Sequence, residues 1–242
     1  MNQLRWLNRL ERKFGRFAIP NLMGIIVFGM AIVFLIDTFI NPEYAFNLSS
    51  LLYFDRDLIL QGQVWRLITF IFIPPDSNPF FIIFALYFYW MIGSALEAQW
   101  GAFRFNMFYL TGIVSTIIAG CITGGATGSY LNLTLFLAFA MLYPNFQLLL
   151  FFFIPVKIKW LAWLDAILLV ISLIFNTWTG RIALLVSIGN FLLFFGKDLV
   201  QATKLFFRRI GNKRRKSQYT QNDNQKNWKN HWWDDNNNNP FH

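Results

Sequence analysis

Residues 93–105, with the sequence Gly-Ser-Ala-Leu-Glu-Ala-Gln-Trp-Gly-Ala-Phe-Arg-Phe, connect two long apolar runs of the chain. The runs cover about 79–96 and about 103–123, and a helix of about 20 mostly apolar residues crosses the roughly 30 Å hydrocarbon core of a bilayer. Glu97 and Arg104 flank the tight turn between these predicted helices, where they can pair with each other. Glu97 is also placed to accept hydrogen bonds from backbone amides at the start of the second helix. The stretch therefore predicts a helical hairpin in a membrane.

Apolar runs recur along the rest of the chain, at about 21–40, 129–143, 160–175 and 182–195. Together with the first two they give six predicted spans, although five or seven remain compatible with the pattern. Hydrophobic residues make up 56% of the chain and charged residues 14%, whereas a soluble domain has roughly 25% charged residues. The composition therefore excludes an ordinary soluble enzyme, a disordered chain and a disulfide scaffold, and it predicts an all-α membrane protein.

Basic residues predict the orientation of the spans. Lys and Arg cluster before the first span, after the sixth, and between the fourth and fifth, where Lys157 and Lys159 lie. An even number of spans brings these three sets to one side, which the positive-inside rule identifies as cytoplasmic. The sequence thus predicts a basic cytoplasmic N-terminus over 1–20, a membrane domain over 21–197, and a cytoplasmic tail over 198–242. The tail is first basic and then rich in Asn and Gln, and its end is predicted to be disordered.

The net charge of +9 is accounted for by these flanking residues, because Lys and Arg near a membrane surface are attracted to anionic headgroups. The predicted partner is therefore the lipid bilayer. No nucleic-acid partner is predicted.

Four short strings follow one another along the chain: Gly62-Gln-Val-Trp-Arg-Leu-Ile-Thr-Phe70, residues 93–105, Ala138-Phe-Ala-Met-Leu-Tyr-Pro-Asn145 and Ile154-Pro-Val-Lys-Ile-Lys-Trp160. In this order they resemble segments of the rhomboid superfamily of membrane proteins. The resemblance implies a six-helix transmembrane bundle, and it implies structural roles for the residues that match the family's motifs, namely Trp65, Arg66, Glu97, Gly101, Arg104 and Pro144. Arg66 is expected to bond loop carbonyls that would otherwise be unsatisfied near lipid.

The resemblance also implies positions for the catalytic groups of active rhomboid proteases. Their serine maps to Ser129, which lacks the flanking glycines of the family's Gly-x-Ser-Gly motif. Their histidine maps to Ser187 or Asn190, and the His and Asn of their oxyanion site map to Phe81 and Ala85. No complete Ser-His dyad is therefore predicted.

A base for Ser129 is also missing from the expected membrane domain. The two histidines, His231 and His242, lie in the tail, and Lys157, Lys159 and Lys197 are expected on the far side of a roughly 30 Å core. Because serine is a weak nucleophile without a neighbouring base, we predict no proteolysis. The chain has one cysteine, and neither a metal site nor a cofactor is predicted.

The fourth predicted helix is short, because 15 residues rise about 22 Å, and it follows the glycine-rich residues 120–128. Irregular backbone at membrane depth survives only where protein or a water-filled cavity shelters it. We therefore predict a cavity on the outer side that is lined by Ser129, Tyr130, Asn132, Thr134, Ser187 and Asn190. Alternatively, these polar groups pack one helix against another.

Two further features lie inside the predicted spans. Asp165 is the ionisable residue best placed within a span, where charges are often functional; alternatively it reaches the inner interface or pairs with Arg104. Gly112 and Thr116 form a small-xxx-small pattern that lets two helices approach closely.

The leading hypothesis is a rhomboid-like pseudoprotease that binds transmembrane segments of client proteins, which is what the resemblance implies for inactive members. One alternative is an active intramembrane serine protease that uses Ser129, and another is a small transporter or channel. The predicted location is a bacterial cell membrane with both termini cytoplasmic, and the alternative is the endoplasmic reticulum, where derlin-like relatives occur.

Overall fold

The computed structural model describes residues 5–40, 47–75, 79–150, 154–182, 184–186, 188–196 and 200. The chain divides into two compact units, residues 1–195 and 196–242. Of the second unit only Gly196 and Val200 are described, and both are helical. The predicted tail therefore lies outside the described residues apart from Val200, and the architecture below is that of the first unit.

Most of the described residues are helical. In chain order the helices are α1 (Arg5–Phe14), α2 (Leu22–Leu35), α3 (Leu48–Leu52), α4 (Arg56–Leu60), α5 (Arg66–Thr69), α6 (Pro79–Trp100), α7 (Ala102–Thr123), α8 (Ser129–Leu142), α9 (Ile158–Phe175) and α10 (Trp178–Gly196). A 3₁₀ turn at Gly15–Phe17 follows α1, a π-helical turn at Ile36–Ile40 extends α2, and a 3₁₀ turn at Phe70–Phe72 follows α5.

Five helices in the described ranges are long and apolar enough to cross a membrane: Leu22–Phe39, Pro79–Trp100, Ala102–Thr123, Ile158–Phe175 and Trp178–Gly196. They coincide with five of the predicted spans, so the prediction of an all-α membrane protein is confirmed. The remaining predicted span is α8, whose 14 residues rise about 21 Å, less than the roughly 30 Å core. The count of six crossings stays a prediction.

The helices run alternately between two ends of the bundle. We call the end that carries α3, α4, α5 and the α7–α8 and α9–α10 connections the loop end. The opposite end, with α1 and the α6–α7 turn, is the basic end. The α6–α7 turn closes at Gly101, whose φ of +85° is readily adopted only by glycine, and the Gly101 amide donates to the Glu97 carbonyl at 2.8 Å.

Small residues set the closest helix contacts. A Cβ added to Gly93 of α6 would lie 2.3 Å from the Cβ of Met23 on α2, and one added to Gly112 of α7 would lie 2.3 Å from Cδ1 of Leu131 on α8. The close approach that the Gly112–Thr116 pattern predicted is therefore present between α7 and α8. Aromatic rings fill the basic end, where Phe108 packs edge-on against Phe194 with ring centroids 5.2 Å apart.

Two short antiparallel pairs of strands interrupt the helices. β1 (Phe54–Asp55) pairs with β2 (Gly125–Ala126), and β3 (Gln147–Leu150) pairs with β4 (Ile154–Lys157). Sequence analysis predicted no strands. A short apolar run such as 148–154 carries no periodicity that separates a strand from a helix segment, so this hairpin was not predicted.

Candidate functional site

The loop end is organised around Arg66, whose residue is 3% exposed. Its Nη1 donates to the carbonyl oxygens of Ser50 and Tyr53, each at 2.8 Å, and its Nε donates to Oε1 of Gln63 at 2.7 Å. A buried guanidinium can satisfy several loop carbonyls at once. This is the contact with loop carbonyls that the sequence predicted for Arg66.

Two other side chains fasten the same loop. Trp65 is half exposed and donates from Nε1 to the Leu51 carbonyl at 3.2 Å. Asp37, in the π-helical turn after α2, accepts hydrogen bonds from the backbone amide of Leu48 and from the amide and hydroxyl of Ser49. Asp37 thereby satisfies the free amides at the start of α3, and it links the end of the first long helix to the loop.

The β1–β2 pair attaches this loop to the approach to α8. Phe54 lies opposite Ala126 in the pair and is fully buried. A Cβ added to Gly120 of α7 would lie 2.6 Å from the Phe54 ring and 2.9 Å from the Cβ of Ala126. The Phe54 ring therefore occupies the space that a side chain at Gly120 would need, and the absence of that side chain allows the loop to dock.

A cavity of about 380 Å³ lies beside this strand pair. Polar side chains supply much of its lining, and they are Tyr53, Thr116, Thr123, Thr127, Tyr130, Asn176, Thr177 and Thr179. The other lining residues are glycine and alanine. Among the described residues that line the cavity there is no His, Asp, Glu, Lys or Arg. The cavity therefore offers hydrogen-bonding groups but neither a charge nor a base.

The threonine hydroxyls of the cavity are oriented by internal hydrogen bonds. Thr116 donates from Oγ1 to the Gly112 carbonyl at 2.9 Å, and Oγ1 of Thr123 lies 2.9 Å from the carbonyl of Ala119 and 2.9 Å from that of Gly125. A hydroxyl that donates its single proton keeps its lone pairs as acceptors. These side chains can therefore accept hydrogen bonds from a polar group that enters the cavity.

The α9–α10 turn forms one wall of the cavity, and Arg181 fixes its shape. The Arg181 Nε donates to the Asn176 carbonyl at 3.1 Å, and its Nη2 donates to the Ile174 carbonyl at 2.7 Å. The Thr177 and Thr179 hydroxyls are 2.9 Å apart. This turn was not among the sequence-predicted site residues. Its string Asn-Thr-Trp-Thr-Gly over 176–180 is a polar break between two apolar runs, which is a local signal for such a turn.

The residues that the sequence assigned to a polar cavity are distributed differently. Tyr130 lines the cavity, whereas Ser129 is exposed at the first residue of α8. Asn132 and Asn190 are buried within the bundle, as is Thr134, whose Oγ1 donates to a carbonyl within α8. Ser187 and the two tail histidines lie outside the described residues.

Asn132 and Asn190 belong to a buried polar cluster between α6, α7, α8 and α10. The Asn132 side chain lies near the Tyr89 hydroxyl of α6. Nδ2 of Asn190 would lie 3.1 Å from a Cβ added to Gly112. Oδ1 of Asn132, Nδ2 of Asn190 and the Tyr109 hydroxyl are buried and have no hydrogen-bond partner among the described residues. Polar side chains hold helices together in a bilayer when they form hydrogen bonds between them, and these three atoms form none among the described residues.

The contacts of Glu97 and Arg104 at the basic end differ from the expected mutual pair. Oε1 of Glu97 accepts a hydrogen bond from the backbone amide of Asn21 at 2.8 Å, so Glu97 caps the start of α2 rather than the start of α7. Arg104 donates from Nη2 to Oε2 of Glu11 at 2.9 Å and to Oδ1 of Asn8 at 3.3 Å. Both charged groups therefore attach the N-terminal segment to the α6–α7 hairpin.

Pro144 and Asp165 are two further residues that the sequence singled out. The Pro144 carbonyl accepts a hydrogen bond from the amide of Lys159 at 3.3 Å, which ties the end of α8 to the start of α9. Oδ2 of Asp165 on α9 is buried without a hydrogen-bond partner among the described residues. Within the same residues, no three His, Cys, Asp or Glu side chains are grouped so that they could hold a metal ion.

A family model described as the Rhomboid domain matches residues 61–198, which is more than half of the chain. No curated protein and no solved structure matches the chain. The match includes all four strings that resembled rhomboid segments, Arg66 itself, and the helices that surround the cavity. The loop carbonyls that Arg66 bonds lie before it. On this evidence the chain belongs to the rhomboid family.

Proposed function

We propose that this protein is a catalytically inactive rhomboid that binds transmembrane segments of client proteins. The observation that carries the proposal is the lining of the loop-end cavity, which contains hydroxyl and amide groups but no ionisable base among its described residues. A serine hydrolase needs a group that takes the proton from its nucleophile. Ser129 is exposed and does not line the cavity.

The positions of the remaining bases support the same proposal. Lys157 and Lys159 lie next to the start of α9 at the basic end, whereas Ser129 begins α8 at the loop end. The length of α8 separates the two ends by about 20 Å, far beyond hydrogen-bond reach. The chain has no histidine before His231.

The chemistry of the cavity supports an unwound membrane segment as the occupant. Backbone amides and carbonyls that leave a helix within a bilayer must find other partners. Threonine and asparagine side chains can supply both donors and acceptors, and Thr127, Asn176 and Thr179 place such groups around the cavity. A transmembrane helix interrupted by Gly-Pro therefore fits this site better than an uninterrupted helix.

The proposed location is a bacterial cell membrane, with the basic end and both termini on the cytoplasmic side. This orientation is supported by the exposed cations Arg9, Arg12, Lys13 and Arg16 of the N-terminal segment and by Lys157, because cytoplasmic loops carry an excess of Lys and Arg.

The catalytic part of the proposal is tested with purified protein in liposomes. The substrate is a membrane segment with a Gly-Pro site, incubated with the wild-type protein, with Ser129→Ala and with an active rhomboid protease. We expect cleavage by the active protease only. Cleavage by the wild-type protein that is lost in Ser129→Ala would overturn the proposal and would show that another group accepts the serine proton.

The binding part is tested by photocrosslinking. Benzoylphenylalanine is placed at Thr179 in the cavity wall or at Ile171 on the exposed face of α9. We expect the Thr179 probe to capture a Gly-Pro segment several-fold more than the same segment with Leu-Leu, and the Ile171 probe to show no preference. Equal capture of both segments at Thr179 would contradict binding of unwound backbone in the cavity.

A further inference from the structure

A second cavity, of about 390 Å³, lies at the basic end between the N-terminal segment, α2 and α7. We call it the apolar groove. Its walls include Phe14 and Phe17 at one end, Ile25 of α2 and Leu110 of α7 along its sides, and Ile71 and Phe72 at the other end. Its polar lining is small, and Asn106 supplies part of it. An occupant must therefore be apolar over most of its length.

The groove reaches only halfway through the bundle. On α7 its lining runs from Phe103 to Ile113, a separation of ten helical steps that rises about 15 Å, half of the roughly 30 Å hydrocarbon core. Phe72 lies against α2 at the far end, where a Cβ added to Gly29 would be 2.4 Å from Cδ1 of Phe72. The loop that Arg66 holds thus inserts residues to mid-depth and closes the groove there.

Positive charge surrounds the other end of the groove. Nζ of Lys13 lies 5.4 Å from the ring centre of Phe14, and Cζ of Arg16 lies 5.0 Å from that of Phe17, so both cations stand beside groove-lining rings. Glu11, the acidic residue of this segment, is paired with Arg104. The entrance is therefore cationic, and an occupant with an anionic end is favoured.

Asn106 adds a polar position just inside this entrance. Its Nδ2 donates to the Ile19 carbonyl at 3.1 Å, which fixes the orientation of the amide. Its Oδ1 is buried and has no hydrogen-bond partner among the described residues. Asn106 therefore attaches α7 to the segment before α2 at this entrance, and its buried Oδ1 is shielded from an occupant.

We propose that the apolar groove holds an acyl chain of one anionic glycerophospholipid from the leaflet at the basic end, with its phosphate beside Lys13 and Arg16. A lipid chain spans one leaflet, which matches the depth of the groove. A transmembrane helix crosses both leaflets, and the closure at Ile71 and Phe72 argues against such an occupant. This inference concerns a site separate from the loop-end cavity and does not depend on the proposed function.

The test is native mass spectrometry of the delipidated full-length protein in a non-ionic detergent. Phosphatidylglycerol and phosphatidylcholine with the same acyl chains are added separately. We expect one phosphatidylglycerol to bind per chain, roughly tenfold more tightly than phosphatidylcholine, which corresponds to about 1.4 kcal/mol. Equal binding of both lipids would overturn the proposal, and so would a groove-dependent dimer mass, because a second copy would then be the occupant.

Matched variants locate the binding site. Leu110→Trp fills the groove, whereas Ile118→Trp adds the same ring elsewhere on α7; the two residues are 52% and 53% exposed. We expect Leu110→Trp to lower phosphatidylglycerol binding roughly tenfold and Ile118→Trp to leave it unchanged. Ile25→Trp fills the groove from α2, and we expect it to lower phosphatidylglycerol binding as Leu110→Trp does. Agreement between the two variants shows that the loss is not caused by misfolding of one of them. Equal phosphatidylglycerol binding by all three variants would overturn the assignment of the lipid to the groove.

The charge at the entrance is tested in the same way. The double substitution Lys13→Gln with Arg16→Gln should remove the preference for phosphatidylglycerol over phosphatidylcholine. Lys157→Gln with Lys159→Gln removes the same charge elsewhere at the basic end and should preserve the preference. If both double variants lose the preference equally, the overall charge of the protein accounts for the preference. That result would contradict a headgroup site beside Phe14 and Phe17.

Discussion

The loop-end cavity and the apolar groove are nearly equal in volume, about 380 and about 390 Å³, but their chemistry is opposite. The cavity is lined largely by hydroxyls and amides, and the groove is lined by aliphatic and aromatic side chains. Charge is absent from the described lining of the cavity, whereas Lys13 and Arg16 stand at the entrance of the groove. The first suits polar backbone and the second suits a hydrocarbon chain with an anionic end.

The two sites also differ in what holds their walls. Hydrogen bonds from Arg66 and Arg181 to carbonyl groups fix two walls of the cavity. Packing of apolar side chains holds most of the walls of the groove. The Glu11–Arg104 pair attaches α1 to α7 beside it. Substitutions that remove hydrogen bonds should therefore damage the cavity first, while the groove should respond mainly to changes in volume and surface charge.

The largest effect is expected for Arg66→Ala. The substitution removes the hydrogen bonds that the buried Arg66 donates to the Ser50 and Tyr53 carbonyls and to the Gln63 side chain, and a hydrogen bond to a charged group contributes about 1.5–3 kcal/mol. We expect the free energy of unfolding in detergent to fall by about 3–5 kcal/mol, measured by thermal or denaturant unfolding. Because Tyr53 lines the cavity, crosslinking from Thr179 should fall as well.

Arg66→Lys is the matched control for this prediction. Lysine keeps the charge but lacks the planar fork that reaches several acceptors, so its loss of stability should be intermediate. A surface substitution usually changes stability by less than about 0.5 kcal/mol. If Arg66→Lys and Arg66→Ala both change stability by no more than that, the Arg66 hydrogen bonds do not hold the loop.

A smaller effect is expected for Gly120→Ala. The new Cβ would lie 2.6 Å from the Phe54 ring and 2.9 Å from the Cβ of Ala126, so the β1–β2 pair must move. Overpacking of this kind costs about 1–3 kcal/mol. Gly189→Ala is the control, because no atom of the described residues lies within 4 Å of its added Cβ, and it should not destabilise. A ranking in the opposite order, measured by the same unfolding assay, would argue against the close contact at Gly120.

The helices could be predicted from sequence because the bilayer imposes a length and a composition that a single run of residues reveals. Five apolar runs correspond to long helices in the structure, and Arg66 could be assigned to loop carbonyls because a charge beside lipid needs nearby acceptors. Both inferences depend only on the local sequence and on the lipid bilayer that surrounds the helices. Contacts between distant parts of the chain are not needed for them.

Partners that are distant in sequence could not be predicted in this way. Arg104 pairs with Glu11, which is 93 residues away, whereas the local sequence predicts the nearby Glu97 as its partner. Glu97 instead caps Asn21, which is 76 residues away. The place of the α9–α10 turn in the cavity wall could not be predicted for the same reason, because Asn176 and Thr179 join Thr116 and Tyr130 only after the helices pack. Local patterns do not specify which helices become neighbours.

The smallest effect is expected for Glu11→Gln, at the groove. Glu11 and Arg104 are partly exposed, with side-chain exposures of 35% and 19%, and such pairs contribute about 0.2–1 kcal/mol. We expect a loss of stability within that range, together with weaker phosphatidylglycerol binding, because α1 would hold its aromatic and basic residues less firmly against α7. Salt should reduce the difference between Glu11→Gln and the wild type, since exposed charges are screened.

Asp57→Asn is the control for that prediction. It removes a more exposed pair with Arg56 at the loop end, where the side-chain exposures are 74% and 45%, and it should leave lipid binding unchanged. The difference between the two variants is the informative quantity, because both remove one carboxylate charge and only Glu11 lies beside the groove. If both variants change lipid binding equally, the docking of α1 does not govern the groove, and the two sites are less independent than their linings indicate.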